Sequence, residues 1–126
     1  MQPTSRPVYL NLLRIALPVT AWVSILHRVS GALLFVLLPF LVWGFSASLA
    51  DEAGYLRVEA WLASPLAKTL TLALVWSYTQ HFFAGLRHLA MDLDYGLKLP
   101  AARRSSVAVL SAGAVVTAFA AWRLFA

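Results

Sequence analysis

The stretch VSGALLFVLLPFLVWGFSASLA, Val29 to Ala50, carries no charged residue. It exceeds the roughly 20 apolar residues that a helix needs to cross a bilayer. Upstream, Ile15 to Leu26 is also mostly apolar, so a helix is expected to begin near Pro18. Downstream, the acidic segment Asp51 to Glu59, which contains Gly54, reads as a loop. A second run from Ala60 to Leu86 is interrupted only by Lys68, whose long stem can carry its ammonium to the interface. The polar segment Asp92 to Arg104 follows, with Gly96 and Pro100 as helix breakers, and then a third uncharged run, Ser105 to Trp122. The expected fold is an all-α membrane protein with three transmembrane helices, over residues 18–49, 60–91 and 104–125. There are no internal repeats, and the connections are too short to fold alone, so residues 1–126 read as one domain.

Composition supports this reading. Of the 126 residues, 61% are hydrophobic and 12% charged, with a mean hydropathy of +0.77; soluble domains hold about 45–50% apolar and about 25% charged residues. Too little polar surface remains to cover a core in water. The net charge of +5 would suggest nucleic acid in a soluble protein, but here the ten Lys and Arg flank apolar runs and read as topology signals, with no nucleic-acid partner expected. Cysteine is absent, which excludes disulfides, thiolate metal sites and iron-sulfur ligation by this chain.

Arg6 and Arg14 precede the first span, and Lys98, Arg103 and Arg104 lie between the second and third; Arg57 and Arg123 stand on the opposite side. The positive-inside rule then places the amino terminus and the second connection in the cytoplasm, or in the equivalent matrix compartment, with the acidic loop and carboxyl terminus facing outward. The amino-terminal sequence has neither a signal-peptide core with a cleavage site nor the composition of a transit leader. No processing is expected, and a bacterial inner membrane is favoured.

Two clusters of polar residues fall where lipid should exclude them, and an intramembrane ionisable residue is a functional hypothesis by default. In SILHRVSG, Ser24, His27, Arg28 and Gly31 share a stripe roughly 100° wide. A lone Arg at this position also reads as one that snorkels to headgroups. In HFFAGLRHLAMD, His81, Gly85, His88 and Asp92 fall within about 60°. A neutral imidazole on such a helix can ligate haem iron, and a glycine one turn on admits a large planar group, so His81 is the ligand candidate. His81 equally reads as an interhelical hydrogen-bond partner, while His88, between Arg87 and Asp92, reads as interfacial. His81 stands about 16 Å of helix from Asp92, which puts both clusters at similar depth. Trp43, Trp76 and Phe119 read as lipid-facing or packing residues, and Gly113 with its neighbouring alanines as a close-packed face. No phosphate-binding loop, dinucleotide fingerprint, HExxH motif or Ser-His-Asp set is present.

The pattern RPVYLNLLRIALPVTAWVSILHRVSG, then a span, an acidic connection and HFFAGLRHLAMDLDYG, resembles the cytochrome b556 subunits of succinate dehydrogenase. The resemblance covers the whole chain and rests on S-x-x-H-R-x-S-G in the first span and H-x-x-x-G-x-R-H-x-x-x-D in the second. It implies a haem b-binding anchor that, with a second small membrane subunit, holds a flavoprotein and an iron-sulfur subunit and passes electrons from succinate to ubiquinone. This chain alone would not oxidise succinate. By position, His81 is then the axial iron ligand, with the opposing ligand on the partner membrane subunit. Ser24 and Arg28 match quinone-site positions; His27 and Arg28 would serve the haem propionates; His88 and Asp92 would neighbour the propionates or a proton path. A hydroxyl can donate to a quinone carbonyl, and a guanidinium can stabilise the charge that develops as electrons arrive. Two other readings stay open: a fumarate reductase anchor using the same pocket in reverse, and a non-redox structural subunit whose polar residues only lock helices. A self-contained cytochrome using two of the three histidines is disfavoured, because His81 and His88 lie seven residues apart on one helix.

Overall fold

The computed structural model describes residues 15–126. Arg6, Arg14 and the amino-terminal RP segment lie outside the described residues. Every regular element within them is a helix: α1 (Val19–Ala50), α2 (Glu52–Leu62), α3 (Pro65–Asp92) and α4 (Leu99–Phe125). With 32, 28 and 27 residues, α1, α3 and α4 are about 48, 42 and 40 Å long, more than the ~30 Å hydrocarbon core requires. α1 and α4 are each long and apolar enough to cross a membrane, and α2 with α3 meets that test jointly, across an 82° bend.

Segment 51–59, expected as a loop, is mostly helix. The Asp51 carboxylate accepts the Gly54 N–H and Glu52 sits in the first turn, so the acidic residues start α2 and complement its dipole. α2 ends at Leu62, and α3 starts afresh where the Ser64 hydroxyl accepts the Ala67 N–H and Pro65 takes the first helical position. Residues 60–62, expected in the second span, therefore belong to the crosswise helix. At the other end α3 stops in a tight turn with Asp94 and Gly96 at positive φ, 64° and 76°. α4 then begins at Leu99, inside the segment read as polar. Pro100 opens that helix rather than breaking it, because a first-turn N–H has no intrahelical acceptor to lose.

α3 packs between α1 and α4. Val23, Ala84 and Val109, one from each long helix, form a small buried cluster, with Phe83 and Leu110 against it. The other buried positions among the described residues are small or polar: Gly54, Ala67, Ala102, Gly113, Ser30, Ser77, Thr79, Gln80, Arg87 and Ser106. Large apolar side chains point outward, Trp43 at 72% and Phe119 at 59% exposure; Trp76 is half-buried. Lipid tails are as apolar as leucine, so helix association gains little from burying leucine and instead uses close backbone approach and hydrogen bonds. At the α2 side of the bundle, Lys68 Nζ lies 5.8 Å from the Phe125 ring centroid, a cation–π contact joining α3 to the end of α4.

Candidate functional site

α1 rises from Val19 and α3 returns toward Asp92, so the polar stretches on the two helices meet. His27 and His81 stack with ring centroids 4.2 Å apart and planes inclined by 15°. His88 lies 5.1 Å from His27, tilted by 48°. Each ring of the stacked pair also faces a glycine on the opposite helix. A Cβ added at Gly31 would lie 2.8 Å from His81 Cε1, and one added at Gly85 would lie 3.5 Å from His27 Nε2. Gly85 therefore admits a planar group, and in this structure that group is the His27 imidazole. Gly31 is the tighter seat, since a methyl there would require the His81 ring to shift.

His81 Nδ1 is 3.1 Å from the His27 backbone carbonyl. A carbonyl only accepts, so this hydrogen bond requires the proton on Nδ1, and the neutral ring then carries its lone pair on Nε2. The same carbonyl accepts the Ser30 hydroxyl at 3.0 Å. An iron-ligating histidine commonly has this form, one nitrogen donating to an oxygen acceptor and the other free for the metal. The donor set fits a haem ligated by His81. The stacked His27 and His81 rings hold their in-plane nitrogen lone pairs nearly parallel, so the two would not converge on one iron. A second ligand would have to come from outside this pair. Among the described residues no group of three or more His, Asp or Glu is arranged to hold a metal ion directly.

The remaining candidates are placed less centrally. Ser24 is half-buried on α1 and makes no hydrogen bond among the described residues, and Arg28 is exposed. Of the stripe expected to hold Ser24, His27, Arg28 and Gly31, His27 and Gly31 meet α3, whereas Arg28 is exposed. Asp92, expected beside His81 and His88 on one face, is exposed at the end of α3.

Arg87 received no role in the sequence reading. It is 8% exposed, donates from Nε to Ser105 Oγ at 3.1 Å and from a terminal nitrogen toward the Ala102 carbonyl at 3.5 Å. It ties α3 to α4 on the side away from the histidines. Deeper between the same helices, a Cβ at Gly113 would come 3.3 Å from Gln80 Oε1, and among the described residues neither Gln80 Nε2 nor the buried Ser77 Oγ on α3 has a hydrogen-bond partner. The available signal was helical phase: Arg87 falls about 120° around α3 from His81, toward the α4 stretch that carries Ser105 and Ser106.

Residues 2–121 match the family model described as succinate dehydrogenase/fumarate reductase transmembrane subunit. The chain is 32% identical over 114 residues to the succinate dehydrogenase cytochrome b556 subunit of Paracoccus denitrificans, covering 90% of this chain and 87% of that one. It is 35% identical over 105 residues to the subunit of the same name from Coxiella burnetii, covering 82% and 84%. A third relative with that name, from Rickettsia prowazekii, is 32% identical over 83 residues, covering 66% and 64%.

Proposed function

The chain belongs to the family of succinate dehydrogenase and fumarate reductase transmembrane subunits, and from that premise we propose that it is the haem b-bearing cytochrome b556-type anchor of a succinate:quinone oxidoreductase. The relatives at 32% and 35% identity both carry the succinate dehydrogenase name, which favours electron flow from succinate to quinone over the reverse. In this reading the chain pairs with a second small membrane subunit, and the two hold the iron-sulfur and flavoprotein subunits at a bacterial inner membrane. The amino terminus and the α3–α4 connection face the cytoplasm, in keeping with Lys98, Arg103 and Arg104 on that side.

The observation that carries the haem assignment is His81, held with Nδ1 on the His27 carbonyl so that Nε2 is the nitrogen free to ligate iron. When bound, haem b supplies a one-electron carrier beside the quinone site. His27 and His88, within 4.2 and 5.1 Å ring contacts of this cluster, offer N–H donors for propionates. Arg28, exposed on α1, presents its guanidinium outward to propionate or quinone at the contact with the second anchor subunit. Ser24, one turn earlier, offers a hydroxyl for a quinone carbonyl. Asp92, near the cytoplasmic end of α3, is suited to hand protons inward.

The experiment is a reduced-minus-oxidised spectrum of the purified native complex for wild type and His81→Ala, with subunit abundance measured in both. Loss or a marked change of the b-type signal in an assembled complex is expected. An unchanged spectrum would reduce His81 to a packing role.

A further inference from the structure

The His27 carbonyl is an unusual meeting point. In a helix it accepts the N–H four residues on, and it also takes the Ser30 hydroxyl at 3.0 Å and His81 Nδ1 at 3.1 Å. Three donors thus share the two lone pairs of one oxygen. Ser30 is fully buried, so no water replaces its hydroxyl at that oxygen. The approach of the His81 ring depends on Gly31, where any side chain would overlap its Cε1 and Nδ1 edge, at 2.8 and 3.1 Å from an added Cβ.

We propose that Ser30 and Gly31 are positioning residues for His81: Gly31 lets the imidazole reach the α1 backbone, and Ser30 sets how strongly the His27 carbonyl polarises its Nδ1–H. This rests on the reading of His81 as an axial haem ligand. Hydrogen bonding from the far ring nitrogen makes an iron-bound imidazole more basic. A more basic ligand stabilises ferric over ferrous iron and lowers the midpoint potential. The two residues therefore act with opposite sign. Ser30→Ala removes a competing donor, strengthens the His81 bond and shifts the potential down. Gly31→Ala pushes the ring off the carbonyl, weakens that bond and shifts the potential up, or lowers haem content where the ring no longer reaches.

The test is a spectroelectrochemical titration of the haem in the purified assembled complex, for wild type, Ser30→Ala, Gly31→Ala and His81→Ala, with haem per complex measured alongside. Opposite shifts for Ser30→Ala and Gly31→Ala support the seat. If Gly31→Ala does not assemble, the downward shift in Ser30→Ala decides alone. Wild-type potentials in the assembled variants, with haem lost in His81→Ala, would overturn the seat and leave ligation intact. A wild-type haem signal in His81→Ala would overturn both.

Discussion

Arg87 carries a positive charge at 8% exposure, and among the described residues its partners are a hydroxyl and a carbonyl on α4, with no carboxylate. A guanidinium in such a place survives because five N–H groups in a rigid fork can be shared among neutral acceptors, which an ammonium does less well. Interhelical hydrogen bonds in membranes average about 0.6 kcal/mol, and removing a long side chain adds a packing loss. Arg87→Ala is expected to lower the unfolding free energy of the detergent-solubilised complex by about 1–3 kcal/mol, and Ser105→Ala by about 0.5–1 kcal/mol. Because the two groups share one bond, the double variant should lose less than the sum; strictly additive losses would mean the Arg87–Ser105 contact contributes nothing. In sequence Arg87 reads as a flank of His88. Its true environment is set by α4, which no spacing within α3 reveals.

α3 has two working faces. Its histidine face meets α1 across Gly31 and Gly85, and its Gln80–Arg87 face meets α4 across Gly113, Ala102 and Ser105. Small residues lie where backbones approach, as expected when dispersion and hydrogen bonds, rather than exclusion from water, hold helices together. Gly113→Leu is expected to force α3 from α4 and cost about 1–3 kcal/mol, read as a fall in complex thermostability and in the amount assembled. Gly44 has nothing within 4 Å of an added Cβ, and Gly44→Leu should leave both measurements at wild type. Equal losses at the two glycines would point to a general helix effect instead of the α3–α4 contact. The small residues around Gly113 were legible as a close-packed face from sequence. That the facing group is the Gln80 amide was not, because a polar residue buried between helices carries the same sequence signal as one facing lipid or a pore.

For the molecule as a whole, the 82° turn between α2 and α3 puts a short helix across the bundle at the end opposite the α3–α4 connection. Basic residues at that connection favour the cytoplasmic side. The chain has no cysteine, so single-cysteine variants need no background removal. Lys98→Cys should react with a membrane-impermeant thiol reagent only in inside-out vesicles, and Ser64→Cys only in right-side-out cells; the reverse pattern would invert the topology. The all-helical membrane fold and the succinate dehydrogenase family were determined by the sequence itself, since apolar run length against bilayer thickness is a one-dimensional criterion and the two motifs are local strings. The equal depth of the histidine-bearing stretches was likewise legible, because helical rise converts residue number into height. Tertiary structure alone decided that His27 stacks on His81 instead of facing an open pocket, that Arg28 is exposed, and that segment 51–59 is mostly a crosswise helix. Each depends on which neighbouring backbone a side chain or cap can reach, and residue spacing within one helix holds no information about the rotation of the next.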